Sequence, residues 1–256
     1  MKMKSTLHNL VANQFGPRAD AYIQSAVHAA GADLDALRAF VQAQRFERVL
    51  DLGCGGGHAS FTVAGHVGQV TAYDLSPDML RAVAKEAQAR GLSNLVTEQG
   101  TVEALPFADG SFDLVVTRYS AHHWHDVSQG LREARRVLKP GGRAMVMDAV
   151  APANPLLDTF LQTIEMLRDP SHVRDYAVAE WEQMLRAAGF ATDAPTLYRV
   201  RLDFATWIAR MRTRALFADA IRALQQTMAE EVTAHFEIAG DGSFTLDSMS
   251  MIAAAV

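Results

Sequence analysis

The sequence contains a single cysteine, Cys54, among its 256 residues. One cysteine cannot form an intrachain disulfide bond or supply a multi-cysteine metal site, so both frameworks are excluded. No run of residues approaches the roughly 18 apolar positions of a transmembrane helix. The basic start MKMKSTLHNL also lacks the apolar segment of a signal peptide. We therefore expect a cytoplasmic chain without a membrane span.

Positive charge is scarce as well, with 24 Lys and Arg against 29 Asp and Glu and a net charge of -5. No basic stripe is visible, so nucleic acid is not an expected partner. Hydrophobic residues make up 49% and charged residues 21% of the chain, which provides enough apolar side chain for a sizeable core. The length favours one large domain, or one domain plus a lid. We expect a monomer or a homodimer.

Strands and helices alternate across residues 46–150. The predicted strands are 48–52, 69–75, 94–100, 111–119 and 143–150, and the predicted helices are 57–65, 76–91 and 127–142. Parallel strands require helical crossovers of this kind, so the pattern predicts an α/β fold with a parallel sheet and helices on both faces. Ligands of such sheets bind outside the carboxyl ends of the strands.

The flanking segments differ from this pattern. Residues 1–45 are predicted to form an N-terminal helical cover over the core of residues 46–150. Residues 151–256 are predicted to add substrate-side cap helices and completing strands within the same domain. In that last segment we expect helices at 154–170 and 178–190, a strand within 191–204, one or two helices within 205–236 and a final strand within 242–256.

The stretch RVLDLGCGGGHAS, residues 48–60, places four glycines directly after a strand and before a helix. Glycine adopts positive φ and lets a ligand approach the backbone, while the helix start offers free N–H groups. The nicotinamide fingerprint G-x-G-x-x-G does not fit, because its third glycine position holds His58 or Ser60. Asp51 would repel a pyrophosphate but suits a cationic ligand such as S-adenosylmethionine, and Asp74 can accept both ribose hydroxyls.

VLDLGCGGG resembles motif I of the class I S-adenosylmethionine-dependent methyltransferases, and AYDLSPDML resembles their second motif. ALPFADGSFDLVVTRYSAHHW and EARRVLKPGGRAMVMD resemble the later strands of the ubiquinone/menaquinone-biosynthesis-type, small-molecule branch. The close resemblance covers residues 10–150. It implies a doubly wound, mostly parallel, seven-stranded Rossmann-like sheet with helical cap insertions. It also implies S-adenosylmethionine as the methyl donor and S-adenosylhomocysteine as the product.

The resemblance further implies roles for individual residues. Asp51, Gly53 and Gly55 would surround the methionine moiety, and Asp74 would hold the ribose. Leu75 and Met79 would pack against the adenine, and the backbone N–H of Val102 would face it. Arg118, at the end of strand four, would lie near the methyl group.

Two positions modify this picture. The family places an aspartate where this sequence has Thr101, a weaker acceptor for the adenine amino group that Glu103 could replace. In the resembling branch the segment 13–28 lies over the cofactor, which makes Tyr22 and Phe15 candidates for closing the site, Tyr22 before Phe15. Packing of both aromatic rings onto the domain is the alternative.

The motif SAHHWHD, residues 120–126, contains three histidines and an aspartate. Adjacent histidines on a strand or loop point in opposite directions, so we predict no metal site. One interpretation is that one of these histidines packs in the core and another forms a local hydrogen bond. The alternative is that one of them faces the substrate and takes a proton, and His123 is then the candidate catalytic residue, ahead of His122 and His125. Methyl transfer itself requires only an aligned nucleophile, so a base is needed only where the acceptor must lose a proton.

The acceptor is predicted to be a small, partly apolar organic molecule with a carbon, oxygen or nitrogen nucleophile. Its candidate pocket walls are Phe160, Met166, Tyr176, Trp207, Met211 and Phe217. Arg210, Arg212 and Arg214 form either a solvated helix face or a site for an acidic acceptor. Two other functions remain open: a nicotinamide-dependent oxidoreductase, and a non-catalytic cofactor-binding or scaffold protein of the same fold.

Overall fold

A computed structural model describes residues 6–19 and 30–256 of the chain. Its centre is one sheet in the order β3-β2-β1-β4-β5-β9, and β7 and β8 pair with successive parts of β9 at the far edge. The strands are β1 (Arg48–Leu52), β2 (Gln69–Asp74), β3 (Leu95–Gln99), β4 (Phe112–Arg118), β5 (Leu138–Ala151), β6 (Tyr176–Ala177), β7 (Phe190–Thr192), β8 (Thr196–Leu202) and β9 (Phe244–Ala255). Strands β1 to β5 are parallel, and β9 is antiparallel to β5. The sheet is therefore seven positions wide and mostly parallel, as predicted.

Helices connect these strands and cover the sheet. They are α1 (Leu7–Phe15), α2 (Ala32–Ala43), α3 (His58–Ala64), α4 (Pro77–Ala89), α5 (Val127–Val137), α6 (Pro155–Arg168), α7 (Val178–Ala187), α8 (Phe204–Met211), α9 (Ala215–Thr227) and α10 (Glu230–His235). Local sequence explains why α4 begins where it does, since the Ser76 hydroxyl accepts the Met79 N–H and Pro77 occupies the first turn. None of the helices within residues 6–19 and 30–256 combines the length and apolarity needed to cross a membrane.

Three sequence predictions are wrong in detail. Helix α5 ends at Val137 rather than at 142, because Leu138 already pairs with Phe112 and begins β5. The segment 205–236 forms three helices rather than one or two, the first ending at Arg212 in a left-handed conformation. The predicted strand within 191–204 is divided between β7 and β8.

Strand β9 lies between β5 and the edge strands, and it confirms the predicted final strand. Met249, Met251 and Ala253 are completely buried in the main core. Alanine and methionine do not favour strands in isolation, so burial between two strands decides the conformation here. A second hydrophobic cluster, which includes Phe160, Trp207 and Phe244, joins the cap helices to this end of the sheet.

Candidate active site

The carboxyl ends of β1, β2 and β4 open into one cavity, here called the cofactor cavity. The described residues that the sequence pattern assigned to the cofactor all line this cavity. They come from distant parts of the chain, because a whole helix lies between the end of β1 and the end of β2. They are Asp51, Gly53, Gly55, Asp74, Leu75, Met79, Thr101, Val102 and Arg118. The remaining candidate, Tyr22, lies outside the residues that the structure describes.

Two glycines after β1 fulfil geometric requirements that other residues could not meet. Gly53 has φ 66 and Gly55 has φ 49, both in the left-handed region. A Cβ atom on Gly53 would collide with the side chain of Ser120. A Cβ atom on Gly55 would meet no atom within 4 Å, so it would project into open space where a ligand can approach the backbone.

In the Asp51 carboxylate, one oxygen accepts hydrogen bonds and the other accepts none from the described residues. Its Oδ2 accepts the Ser60 N–H at 3.0 Å and the Ser60 hydroxyl at 2.6 Å. Its Oδ1 is buried and has no hydrogen-bond partner among the described residues. Burial raises the pKa of Asp51 to about 6, against the opposing effect of the Ser60 hydrogen bonds. A ligand with a positive charge or a donor group would satisfy the second oxygen.

Asp74 ties the glycine loop to the start of α4. Its Oδ2 accepts the Gly55 N–H at 2.9 Å, and its Oδ1 accepts the Ser76 N–H at 2.8 Å. Burial raises the pKa of this carboxyl. Each carboxylate oxygen can accept a second hydrogen bond, so Asp74 retains the capacity to bind a diol while these contacts fix its orientation.

The far wall of the cofactor cavity contains another unsatisfied carboxylate. Glu103 Oε1 accepts the N–H groups of His125 at 3.0 Å and Asp126 at 3.3 Å. Its Oε2 is buried without a hydrogen-bond partner among the described residues, with His8 Nε2 3.6 Å away. This free acceptor lies beside Thr101, the position at which the sequence departs from the family pattern.

Helix α1 supplies a wall that sequence reasoning predicted only in part. Phe15 lines the cavity, as the proposed cover requires, and its ring lies 4.9 Å from the ring of His123. His8 and Val11 line the cavity too, although no sequence pattern indicated them. Helix α1 has no buried residue to establish a core-facing stripe, so periodicity could not identify its inner face.

A second cavity of about 460 Å³, here called the acceptor cavity, adjoins the first. Phe15, Arg118, Tyr119 and His123 line both cavities and therefore mark their junction. Its volume lies in the range of ligand sites for small organic molecules.

The predicted acceptor walls are only partly correct. Trp207 and Met211 line the acceptor cavity, as does Arg210. The other predicted walls, Phe160, Met166, Tyr176 and Phe217, do not line it. Phe160 is buried in the cap cluster and Met166 is 58% exposed, because helix α6 presents these two side chains to the cap and to solvent.

Arg118 is held in place by a residue that the sequence did not identify. Its guanidinium forms a two-point ion pair with Asp33 of α2, at 2.5 Å from Nε to Oδ2 and 3.2 Å from Nη2 to Oδ1. Each side chain is only 6% exposed. The pair fixes the cationic end of β4 at the junction of the two cavities.

The three histidines after β4 occupy different places. His123 lines both cavities, His122 lines the acceptor cavity and His125 lines the cofactor cavity. The rank of His123 ahead of His122 and His125 as a catalytic candidate stays a prediction, and His123 is the one of the three that lines both cavities. Aspartates from later segments surround His122 and His123, and sequence spacing gave no indication of them.

His122, Asp148 and Asp175 place one potential metal-ligating atom each within 4.8 Å of one another. The Asp148 oxygens, however, accept the N–H groups of Ala121 and Ala149 and contact His122 Nδ1 at 2.6 Å. A metal would have to displace these hydrogen bonds. The absence of a metal therefore stays a prediction, and hydrogen bonding accounts for the cluster without one.

Comparison with known proteins agrees with this geometry. The methyltransferase domain family matches residues 50–146. YafE of Escherichia coli (strain K12) is 50% identical over 191 residues, which span 75% of this chain and 92% of that protein. The methyltransferase YcgJ of Bacillus subtilis (strain 168) is 37% identical over 201 residues, 78% of this chain and 79% of that protein.

A solved structure and a more distant relative extend the comparison. The crystal structure of YcgJ superimposes with a TM-score of 0.83 at 32% identity, covering 87% of this chain and 97% of that chain. A demethylmenaquinone methyltransferase of Chlorobaculum parvum is 36% identical over 118 residues, 46% of this chain and 47% of that protein. The chain therefore belongs to the methyltransferase domain family, whose members in general take the methyl group from S-adenosylmethionine.

Proposed function

We propose that this protein binds S-adenosylmethionine in the cofactor cavity and transfers its methyl group to a small organic molecule in the acceptor cavity. S-adenosylmethionine supplies an electrophilic methyl group on a sulfonium ion, together with an α-ammonium, a ribose diol and an adenine. The observation that carries the proposal is the unsatisfied, buried Oδ1 of Asp51 beside a glycine loop, because a cationic ligand supplies what that oxygen lacks.

The other contacts of this proposal follow the shape of the cavity. Asp74 is oriented by its bonds to Gly55 and Ser76 and accepts the ribose hydroxyls. Leu75 and the buried Met79 pack against the adenine. Glu103 Oε2, which has no hydrogen-bond partner among the described residues, accepts the adenine amino group in place of the family aspartate, whose position is occupied by Thr101.

The junction of the two cavities determines where transfer takes place. An in-line displacement requires the nucleophile to approach the methyl carbon from the side opposite the sulfur, with water excluded. Arg118, Tyr119 and His123 lie where a ligand of one cavity meets a ligand of the other. Trp207 and Met211 give the acceptor cavity apolar walls that suit a partly apolar acceptor.

The proposal is tested by calorimetric titration of the purified protein with S-adenosylmethionine, S-adenosylhomocysteine and NADH. We expect both sulfur ligands to bind and NADH to give no heat, because the carboxylates of Asp51 and Asp74 oppose a pyrophosphate. Binding of NADH alone would favour the oxidoreductase alternative. Failure of all three ligands to bind a folded protein would contradict the proposal.

The raised pKa of Asp51 predicts a specific pH dependence of ligand binding. Its pKa of about 6 in the free protein means that the ionised form, which attracts the α-ammonium, predominates only above that pH. The affinity for S-adenosylhomocysteine should be constant from pH 8 to 7 and fall below pH 6, by up to about tenfold per pH unit. The Asp51→Asn variant should bind more weakly at pH 7 and show a nearly flat profile. If the affinity of this variant still fell below pH 6 as in the wild type, the titrating group would be one other than Asp51.

A further inference from the structure

A group of polar side chains lies at the wall of the acceptor cavity, and four of its five members line the cavity. His122 and His123 belong to the short turn after β4, Asp148 to β5, and Asp169 and Asp175 to the segment between α6 and β6. All three aspartates are at most 2% exposed. Apolar side chains could fill this space equally well. Each buried ionisable group instead needs a hydrogen bond or an opposite charge to offset the loss of its hydration.

His122 is arranged as a donor. Its Nδ1 lies 2.6 Å from Asp148 Oδ1, and a carboxylate only accepts, so Nδ1 carries the hydrogen. Burial by itself would lower the pKa of His122, but the charge and hydrogen bond of Asp148, with Asp175 and Glu165 nearby, raise it to about 9. Nε2 has no hydrogen-bond partner among the described residues. The ring therefore presents a second N–H at the acceptor cavity.

His123 is arranged in the opposite sense. Its Nδ1 lies 3.1 Å from the carbonyl oxygen of Ser171, which fixes the hydrogen on Nδ1 and leaves a lone pair on Nε2. Burial and the neighbouring charge of His122 lower the pKa of His123 to about 4, so the ring is neutral near pH 7. Asp169 Oδ2 lies 4.0 Å from Nε2 and is buried with no hydrogen-bond partner in the part of the chain that the structure describes, while Asp169 Oδ1 accepts hydrogen bonds from Ser171. This oxygen would stabilise the ring once Nε2 gained a proton.

The groups that face the two rings come from four elements. Asp148 of β5, Asp175 before β6 and Glu165 of α6 face His122, and Glu165 is itself paired with Arg168 of the same helix. Asp169 after α6 and the ring of His172 face His123 from one side, and Phe15 of α1 from the other. Burial and the two neighbouring histidines lower the pKa of His172, which keeps that ring neutral.

We propose that His122 and His123 act as an acid–base pair on an acceptor with an acidic O–H group, a phenol or an enol. The inference rests on the function proposed above. His123 Nε2 takes the proton of the acceptor, and His122 Nε2–H donates a hydrogen bond to the oxygen on which negative charge develops. Pairs of titratable groups whose environments drive their pKa values apart are the usual arrangement for such a division of labour.

The step balances as follows. The acceptor O–H bond breaks and its proton moves to His123 Nε2, where Asp169 Oδ2 faces the new charge. The released electron pair forms a new bond from the oxygen to the methyl carbon while the bond between that carbon and the donor sulfur breaks, and the electron pair of the carbon–sulfur bond stays on the sulfur. Where a conjugated carbon forms the new bond instead, that carbon then loses its own proton and the O–H group is restored. His123 then returns the proton to water through the acceptor cavity.

The cationic ring also selects against other nucleophiles. A protonated amine would be repelled by His122, and a neutral amine develops no negative charge for His122 to stabilise. An oxyanion, by contrast, gains a charge-assisted hydrogen bond from the same ring. The cluster therefore favours O–H acids over amines as methyl acceptors.

The test uses 4-nitrophenol, whose ionised form is coloured, titrated into the full chain saturated with S-adenosylhomocysteine. We expect the bound probe to ionise at least about tenfold more readily than the free probe, a fall of one unit in its pKa. His122→Gln should abolish this shift. The matched control is His66→Gln, which replaces an exposed histidine remote from both cavities and should leave the shift unchanged.

The outcomes separate the two proposals. Absence of S-adenosylhomocysteine binding would overturn the proposed function itself. Binding of that ligand with an unshifted probe, or tighter binding of 4-nitroaniline than of 4-nitrophenol, would overturn the acid–base inference alone. S-adenosylhomocysteine titration of each variant also shows whether its fold and cofactor cavity are intact.

A second measurement uses only the wild-type protein, so its outcome does not depend on whether a variant folds. Nitrogen-15 NMR of the histidine rings in the wild-type protein near pH 7 should show His122 protonated on both nitrogens and His123 protonated on Nδ1 only. Addition of 4-nitrophenol to the S-adenosylhomocysteine complex should then shift the Nε2 resonance of His123, because the lone pair of this nitrogen accepts the hydrogen bond of the probe. A neutral His122, or a His123 ring that does not respond to the probe, would contradict the assigned roles.

Discussion

We expect Asp74→Ala to weaken S-adenosylhomocysteine binding by about 100-fold or more, the largest effect of any single change in the cofactor cavity. Hydrogen bonds to a charged acceptor contribute roughly 1.5–3 kcal/mol each, and the ribose offers two hydroxyls. The substitution also leaves the N–H groups of Gly55 and Ser76 without their acceptor, which loosens the loop. Isothermal calorimetry at pH 7.5 measures the change.

A chemical double-mutant cycle separates ribose binding from loop distortion. S-adenosylhomocysteine and its 2′-deoxy analogue are titrated into both proteins, and the cost of removing the hydroxyl is compared. Removal of the 2′-hydroxyl should weaken binding to the wild-type protein and should have almost no effect on binding to Asp74→Ala. Asp78→Ala is the matched control, because Asp78 lies in the first turn of α4 and, within residues 6–19 and 30–256, forms its ion pair with the exposed Arg81. Equal hydroxyl contributions in the wild type and in Asp74→Ala would remove Asp74 from the ribose site.

The cofactor cavity could be predicted because its signals are local. A strand, a glycine turn and a helix start follow one another within residues 48–60, and parallel strands bring Asp51 and Asp74 to the same edge of the sheet. Capping residues such as Ser76 defined the helix start directly. The chemistry of the first cavity was therefore contained in short stretches of sequence.

The acceptor side could be predicted only in part, since the residues that interact there are distant in sequence and follow no periodic pattern. His122 meets Asp148 after 26 residues, and Arg118 meets Asp33 across 85. The aromatic residues chosen as walls, such as Phe160, were selected by type, although cap packing decided which of them reach the cavity. The turn at Arg212 adopts a left-handed conformation without glycine, so it also gave no breaker signal.

The remaining large effect concerns stability. Asp33→Ala should lower the free energy of unfolding by about 3 kcal/mol or more, because it removes a bidentate carboxylate partner of a buried guanidinium. Both charged groups of this pair are almost fully buried, and the two contacts between them are those of a bidentate pair. Urea denaturation followed by circular dichroism measures the change, with the transition slope checked for equality between variants.

Asp35→Ala provides the matched control, because Asp33 and Asp35 both lie in the first turn of α2 and interact equally with its dipole. Asp35 pairs with Arg38 at the surface, where it is 72% exposed, so its loss should cost about 1 kcal/mol or less. The difference between the two variants therefore isolates the buried pair from the helix start. Since Arg118 lines both cavities, Asp33→Ala should also weaken S-adenosylhomocysteine binding, whereas Asp35→Ala should not. Equal destabilisation by the two variants would show that solvent or another group compensates Arg118, and the pair would lose its role in positioning the end of β4.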